Sequence, residues 1–491
     1  VGNGSLTANA TTRIEDNTAT TAGGGIYANN ETTVTLTGTF VTGNTADGAG
    51  GGISAEADTT ISLTNAQIRN NSVPNGSGGG VYSDGGSSLT ITSSVISGNT
   101  ASSTGGGAFA SSVVTAGGQA NINNSVFESN SAVVDGGAIE SLAEALTVFN
   151  STLDMNSATQ GGAVAFTSAG TNSLFISEST LTENSAASNG GGVYIRKPFA
   201  TSTSQPVFRL SDSIVMSNTA TGGGGVYVSG DENTGIEIVD STISSNVASS
   251  IGGGLMVTGI NDESSFTLSV TNSTIDGNRA NTLDGGGIFS TAGTMTIEES
   301  TITNNIAARD GGGIHDAGSA TTITDTSISD NTAALRGGGY YKARASTSTS
   351  FSSSLVSGNT STSSDGGGIQ FRGSSLILSN STVSGNEGSF GGGIRIDQTA
   401  SVTFNNSTIT ANTARGQLGG LGVSNASVDL FSSIVAGNTD ADGTDPDVDA
   451  AFVGTNTNNL INTDPMLSEL GDFGGPTLTH EPTQGSPALD A

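Results

Sequence analysis

The chain has neither cysteine nor tryptophan among its 491 residues, and it has only two lysines and two histidines. The lack of cysteine excludes disulfides and thiolate metal sites, but it fits proteins of the cytosol and of the cell exterior alike. No apolar run approaches the roughly 18 residues of a membrane-spanning helix, so the sequence predicts no transmembrane segment. Hydrophobic residues make up 33% of the chain, which is enough only for a thin core.

Positive charge is also scarce, with 13 Lys and Arg residues against 43 Asp and Glu residues and a formal net charge of −30. Such a chain repels nucleic acid and anionic lipid, and it attracts divalent cations. We therefore expect no nucleic-acid partner. A solvated acidic surface is favoured over a specific ion-binding role.

One asparagine recurs about every 27 residues along the whole chain. It lies three residues after an aliphatic residue or Phe, and a run of glycines follows it, as in Ile302, Asn305 and Gly311–Gly313. A nearly constant period of this length is typical of a solenoid, in which each repeat stacks on the next. The sixteen positions are Asn17, Asn44, Asn71, Asn99, Asn130, Asn156, Asn184, Asn218, Asn246, Asn278, Asn305, Asn331, Asn359, Asn386, Asn412 and Asn438.

Each repeat contains short alternating runs, such as Thr33–Thr37 and Ser300–Ile302, that read as strands with one buried face. No stretch has the length and period of a helix, so these runs predict an all-β fold. The expected fold is a right-handed single-stranded parallel β-helix of about 16 coils with three short strands per coil. We expect the repeats to span residues 1–439 and an irregular cap to span 440–491. Because the chain opens almost inside a repeat, without a visible signal peptide, we expect a mature chain or a fragment.

The recurring asparagine is predicted to be structural. Stacked coils would place these side chains in one column, where their amides would bond from coil to coil. We assign this ladder role to Asn99, Asn130, Asn184, Asn246, Asn305, Asn331 and Asn412.

Departures from the period are the candidates for contacts. Three repeats are longer than the rest, with extra residues around 111–119, 196–206 and 259–265, after the glycine-rich strand. The second of these contains the densest basic cluster, with Arg196, Lys197 and Phe199. Insertions in solenoids commonly map to a binding face, although loops of varied length are also tolerated on a surface without a role.

A second candidate is the residue before the glycine run in four consecutive coils, here called the charged row: Asp284, Asp310, Arg336 and Asp365. Stacking would bring neighbours to about 5 Å per coil. The row could bind a cation or form a catalytic cluster, but a surface ion-pair ladder is favoured. His315 lies just after a glycine corner in the same region.

Asp440, Asp442, Asp445, Asp447 and Asp449 form an acidic run with aspartate at nearly every second position. Oxygen ligands at such spacing can wrap Ca²⁺, although the run lacks the complete loop of an EF-hand and its closing glutamate. Ca²⁺ is the one cofactor for which the sequence offers a candidate site.

Two stretches resemble known families. Phe127–Asn130 followed by Gly136–Ile139 resembles the paired FxxN and GGAI repeats of chlamydial-type polymorphic outer-membrane proteins. The end of the chain, with Asp464–Leu467, Gly474–His480 and Gly485–Asp490, resembles the terminal block of bacterial "choice-of-anchor Q" proteins. These resemblances imply an extracellular or cell-surface β-helix. They imply no catalytic residues, and the second implies a separate surface-anchoring signal.

The sequence therefore favours a non-catalytic structural or adhesive solenoid outside the cell: a spacer, a surface adhesin or a fibre subunit. Its expected partners are other copies stacked end to end or a cell-surface or glycan partner. Two alternatives stay open. One is a polysaccharide lyase or hydrolase, which would need clustered carboxylates. The other is an adhesin stabilised by Ca²⁺.

Overall fold

The computed structural model describes residues 4–111, 119–167, 173–197, 207–230, 235–259, 266–318, 320–345, 347–398, 400–441, 443, 447–448 and 453–489. Internal contacts divide the chain into two compact units. Unit 1 comprises Val1–Val247 and Gly259–Ser264, and unit 2 comprises Ala248–Thr258 and Ser265–Ala491. Each unit is a parallel β-solenoid, and the chain makes about 15 turns in all. The predicted fold class is confirmed.

Most coils carry four short strands, here numbered by the parallel sheet to which they belong. In one coil of unit 1 these are Thr33–Thr37 (sheet 1), Phe40–Thr42 (sheet 2), Thr45–Ala46 (sheet 3) and Ile53–Ala55 (sheet 4). The prediction of three strands per coil is corrected to four. Sheet 3 was missed because most of its strands have two residues, too few to show an alternating pattern.

The strands of unit 1 pair with their counterparts in adjacent coils. Sheet 1 contains Ser5–Ala8, Thr33–Thr37, Thr60–Thr64, Ser88–Thr92, Gln119–Asn123, Ala145–Phe149, Ser173–Ser177, Phe208–Ser211 and Gly235–Val239. Sheet 2 contains Arg13–Glu15, Phe40–Thr42, Gln67–Arg69, Val95–Ser97, Val126–Glu128, Thr152–Asp154, Thr180–Thr182, Ile214–Met216 and Thr242–Ser244. Sheet 3 contains Thr18–Ala19, Thr45–Ala46, Ser72–Val73, Thr100–Ala101, Ser131–Ala132, Ser157–Gln160, Ser185–Asn189 and Thr219–Gly222. Sheet 4 contains Ile26–Ala28, Ile53–Ala55, Val81–Ser83, Ala108–Ser111, Ile139–Leu142, Val164–Thr167, Val193–Lys197 and Val226–Gly230.

Unit 2 repeats the same order. Sheet 1 contains Thr267–Thr271, Thr294–Glu298, Ala320–Thr324, Ser348–Ser352, Ser375–Ser379, Ser401–Asn405, Ser427–Phe431 and Val453–Thr457. Sheet 2 contains Thr274–Asp276, Thr301–Thr303, Ser327–Ser329, Leu355–Ser357, Thr382–Ser384, Thr408–Thr410, Ile434–Val435 and Leu460–Ile461. Sheet 3 contains Arg279–Ala280, Ile306–Ala307, Thr332–Ala333, Thr360–Ser361, Glu387–Phe390 and Thr413–Gln417, and sheet 4 contains Leu255–Gly259, Ile288–Ser290, Ile314–Asp316, Tyr340–Lys342, Ile369–Phe371, Ile394–Ile396 and Leu421–Val423. The strand Val247–Ile251 lies at the division between the units.

The core of each coil is a thin layer of aliphatic side chains. In Thr33–Thr37, Val34 and Leu36 are fully buried, and they lie in register with Ile61 and Leu63 of the next coil. Alternation with period two sends the intervening threonines outward. Burial of like residues in register explains why the sequence repeats its aliphatic positions so strictly.

The asparagine ladder is confirmed in both units. The backbone N–H and Nδ2 of Asn71 each donate to Oδ1 of Asn99 at 3.0 Å, and Nδ2 also donates to the carbonyl oxygen of Val41 in the preceding coil at 2.9 Å. The same rung recurs from Asn17 to Asn246 in unit 1 and from Asn278 to Asn438 in unit 2. All seven predicted ladder residues are fully buried. Each buried amide thereby has hydrogen-bond partners, without which its removal from water would be costly.

A second ladder of serines runs between sheets 1 and 2. Oγ of Ser125 accepts from the backbone N–H of Ser94 at 3.2 Å, and Oγ of Ser94 donates to the carbonyl oxygen of Thr92 at 2.8 Å. From the sequence, this serine was predicted only as part of an alternating strand. Its position at a buried turn explains why Ser or Thr recurs there.

Unit 2 also buries an ion pair in its interior. Lys342 and Asp316, the last residues of two neighbouring sheet 4 strands, are fully buried, and Nζ donates to Oδ2 of Asp316 at 2.9 Å. The same oxygen accepts from the hydroxyl of Tyr340 at 2.5 Å, and Nζ also donates to the carbonyl oxygen of Gly318 at 3.1 Å. Burial lowers the pKa of Lys342, and the charge of Asp316 opposes that effect.

The predicted boundary at residues 439 and 440 stays a prediction, but strands Val453–Thr457 and Leu460–Ile461 still extend sheets 1 and 2. The segment 465–489, here called the strap, then folds as a loose hairpin in which Gly471 and Thr479 exchange backbone hydrogen bonds of 2.9 Å. It lies against sheet 2 of unit 2 and ends in the 3₁₀ turn Pro487–Leu489. Within the described ranges, no helix has the length and apolar character to cross a membrane.

Candidate functional site

The charged row lies at the corner that precedes sheet 4 in unit 2. Each member is followed directly by a glycine with positive φ, such as Gly311 with a φ of 67°. A Cβ on Gly311 would lie 2.5 Å from the carbonyl oxygen of Ile314, so the corner requires glycine. The repeated corner therefore presents the four charged side chains in successive coils.

Two carboxylates of the row face arginines of the following coil. Asp284 Oδ1 lies 3.6 Å from Nε of Arg309, and Asp310 Oδ2 lies 3.8 Å from Nη1 of Arg336. The Oδ1 atoms of these aspartates also accept backbone hydrogen bonds of 3.1 Å, from Asp310 and Arg336 respectively. These contacts tie each coil to the next.

The outward face of sheet 4 adds a column of side chains that the sequence analysis did not assemble. Phe289, His315 and Tyr341 are register partners in consecutive coils, and the His315 ring centroid lies 5.0 Å from each of the other two. Nδ1 of His315 lies 3.8 Å from Oδ2 of Asp284 and has no hydrogen-bond partner among the described residues. The column becomes visible only after coils of unequal length are placed in register.

Arginines connect the charged row with this column. Nη1 of Arg336 donates to the hydroxyl oxygen of Tyr341 at 3.0 Å, and its guanidinium carbon lies 5.8 Å from the centre of that ring. Arg372 approaches the same hydroxyl at 3.5 Å. Tyr341 is only 3% exposed because neighbouring side chains cover its ring.

The next two coils continue the column with Gln370 and Arg395. Both side chains donate to Asp397, from Nε2 at 2.6 Å and from Nε at 2.7 Å, and Nε of Arg395 lies 3.9 Å from Oδ2 of Asp365. The guanidinium carbon of Arg395 lies 4.3 Å from the centre of the Phe390 ring. Oε1 of Gln370 and Nη1 of Arg395 are buried without a partner among the described residues, which is uncommon for buried polar atoms in proteins.

Burial sets the protonation of this surface. It raises the pKa of Asp284 and of Asp310, although Arg309 and Arg336 oppose the effect. It lowers the pKa of His315 to about 4, so the imidazole is neutral at pH 7. The surface thus combines two carboxyl groups of raised pKa with a neutral imidazole and several guanidinium groups.

A family model described as a right-handed β-helix region matches residues 5–179 and 254–441, well over half of the chain. The chain belongs to the right-handed β-helix family. The predicted handedness is confirmed by this match. No curated protein and no solved structure matches the chain.

In unit 1 of the β-helix, the predicted basic cluster lies at the end of a sheet 4 strand. Arg196 and Lys197 are the last residues of Val193–Lys197, whereas Phe199 and the Lys197 side chain lie outside the described residues. The charge of Arg196 opposes the burial that raises the pKa of Asp135. In all three long repeats, the extra residues come directly after a sheet 4 strand. These strands are Ala108–Ser111, Val193–Lys197 and Leu255–Gly259.

The β-helix also buries a carboxyl group in unit 1 that was not predicted from the sequence. Glu140 occupies the outward column of sheet 4, in register with Phe109 and Ala165, yet it is only 3% exposed. Its Oε2 has no partner among the described residues, and burial raises its pKa well above the usual range.

Of the acidic run, Asp442, Asp445 and Asp449 lie outside the described residues. Asp440 is half-buried, and Oδ1 of Asp447 already accepts two hydrogen bonds from Asn438. Within the described ranges no group of three or more His, Asp or Glu side chains could hold a metal ion. Calcium binding by the full run stays a prediction.

Proposed function

We propose that this β-helix is a non-catalytic structural or adhesive protein located outside the cell or on its surface. The observation that carries the proposal is the pairing of the charged row: Asp284, Asp310 and Asp365 each face an arginine of a later coil. A glycosidase needs two carboxyl groups free to act on one bond. Carboxylates that pair with arginines of a later coil instead stabilise the stacking of the coils.

The proposed contact surface is the outward face of sheet 4 in unit 2, with the charged row beside it. This face concentrates arginines in an acidic chain, and planar guanidinium groups are well suited to recognition of polar partners. The resemblance of the terminal block to choice-of-anchor Q proteins supports a location at a bacterial surface.

Cosedimentation with insoluble chitin, cellulose, peptidoglycan and collagen tests the proposal. We expect the chain to bind at least one polymer and to release no soluble product from it. The double variant Arg336→Met and Arg395→Met should lower the bound fraction. Arg209→Met is the matched control, because Arg209 forms an exposed pair with Glu237 at 2.8 Å on sheet 1 of unit 1.

Electron microscopy of the purified chain tests the structural form of the proposal, in which copies stack into fibres. Filaments at high concentration would support it. Separate particles at every concentration, together with no cosedimentation, would contradict both forms.

A carbohydrate-active enzyme is the second candidate, and one observation favours it. Asp284 and Asp310, both of raised pKa, lie beside a neutral His315 whose Nδ1 has no hydrogen-bond partner among the described residues. Perturbed carboxyl groups are typical of general acids. Release of reducing ends or unsaturated products from polysaccharides, abolished by Asp310→Asn, would establish it and overturn the non-catalytic proposal.

A further inference from the structure

The strap contacts the outward face of sheet 2 through a small set of side chains. Thr479 and Thr382 share a hydroxyl hydrogen bond of 2.9 Å, and Nε2 of His480 accepts from the hydroxyl of Ser384 at 2.7 Å. Nε2 is the accepting nitrogen because the other ring nitrogen, Nδ1, carries the proton: it lies 2.7 Å from the carbonyl oxygen of Ser468 and must donate to it. These contacts hold the strap above the sheet without filling the space beneath it.

A cavity of about 650 Å³ lies between the strap and sheet 2. Hydroxyl groups of Ser329, Ser357 and Ser384 form part of its floor, and Leu467 and Leu478 form part of its roof. A second cavity of about 290 Å³ shares Ser327, Leu355 and Leu478 with the first, so the two lie side by side. The combined space falls within the range of small-molecule sites, about 300–1,000 Å³.

The lining restricts the chemistry of a ligand. Carboxylates such as Asp330 and Glu469 line the larger cavity, and none of the described residues around either cavity is Lys or Arg. An anionic ligand would therefore meet uncompensated like charge. A purely apolar ligand would leave the serine hydroxyls and carboxylates desolvated and unpaired.

The serine hydroxyls come from equivalent positions of successive coils, the last residues of Ser327–Ser329, Leu355–Ser357 and Thr382–Ser384. Parallel strands repeat at about 4.8 Å, so the floor offers polar groups at regular intervals. The leucines above offer apolar contact to the C–H face of a ring. A sugar chain matches both features, because its hydroxyls donate and accept while its ring faces are apolar.

We propose that the space between the strap and sheet 2 of unit 2 binds a short, uncharged oligosaccharide. The serine hydroxyls and carboxylates pair with sugar hydroxyls, and the leucines pack on the rings. This site is independent of the adhesive proposal, because it lies on sheet 2 and not on sheet 4.

Isothermal titration of the full chain tests the site with cellohexaose, maltohexaose and laminarihexaose as uncharged probes and oligogalacturonate as the anionic probe. Ser357→Met fills the floor of the cavity with an apolar side chain. Ser97→Met is the matched control, since Ser97 ends the equivalent sheet 2 strand Val95–Ser97 in unit 1. The melting temperature of each variant verifies folding.

We expect at least one uncharged hexasaccharide to bind, oligogalacturonate not to bind, and Ser357→Met to weaken binding about tenfold or more while Ser97→Met stays within about twofold. Three results would each overturn the proposal: no uncharged probe binds, oligogalacturonate binds equally well, or the two variants bind alike. A lowered melting temperature for Ser357→Met would move the same comparison to Ser329→Met, which lines the same cavity and is less buried.

Discussion

Asp447 ends the asparagine ladder of unit 2 by taking the place of a further asparagine. Its Oδ1 accepts from the backbone N–H of Asn438 at 2.6 Å and from Nδ2 of Asn438 at 2.8 Å. One coil earlier, Oδ1 of Asn438 accepts the same two bonds from Asn412 at 3.0 and 2.8 Å. A residue that the sequence offered as a calcium ligand therefore has a defined structural partner.

Asp447→Ala should destabilise unit 2, because it leaves two donors of Asn438 without their acceptor. Loss of an acceptor from a partly buried pair costs about 1–3 kcal/mol. Asp447→Asn retains an acceptor oxygen and should lose less. Urea unfolding at pH 7 without calcium measures both, and equal loss in the two variants would contradict the assignment.

Glu140 should make stability fall as pH rises. Its pKa in the folded chain is raised by burial, so its contribution is fully present below the unfolded value of about 4.3 and is lost as pH rises through the folded value. The free energy of unfolding of the wild type should therefore decline relative to Glu140→Gln between pH 4 and 8. Glu144→Gln, at an exposed position of the same coil, should follow the wild type; a flat difference for Glu140→Gln would disprove the assignment.

Lys342→Met should be among the most damaging single changes in unit 2. It leaves the buried carboxylate of Asp316 without its counter-charge, and breaking a buried pair costs about 3–5 kcal/mol. Arg209→Met removes an exposed pair and should cost less than about 1 kcal/mol. Urea unfolding at neutral pH compares them, and similar losses would show that the buried pair is energetically ordinary.

Gly311→Ala should destabilise the chain by more than about 1 kcal/mol, because φ is 67° and the new Cβ would lie 2.5 Å from the carbonyl oxygen of Ile314. Gly475→Ala is the matched change without a clash, since its nearest heavy atom would be 3.5 Å away. It should change stability by less than about 0.5 kcal/mol. Thermal unfolding that ranks the two variants in the opposite order would refute this account of the corner.

The repeated positions were predictable because repetition carries the information. Ile302, Asn305 and Gly311 each have counterparts in many coils, so the stacking of coils predicts the role of every counterpart at once. The outward column behaves differently. The proximity of His315 to Asp284 depends on side-chain direction at a corner, and the repeat pattern carries no information on that direction.

The strap could not be predicted from periodicity at all. Its hydrogen bond between Thr382 and Thr479 joins residues 97 positions apart without any shared pattern. The buried pair of Lys342 and Asp316 was hidden for a related reason: the inward position of these strands is apolar or small in most coils, such as Ala55 and Phe371, so charge there runs against the pattern.

The asparagine ladder has a direction along the chain. The backbone N–H and Nδ2 of Asn412 both donate to Oδ1 of Asn438 in the next coil, whereas Nδ2 also donates to the carbonyl oxygen of Val383 in the preceding coil. The last asparagine of such a ladder therefore needs one further acceptor, and in unit 2 the carboxylate of Asp447 supplies it.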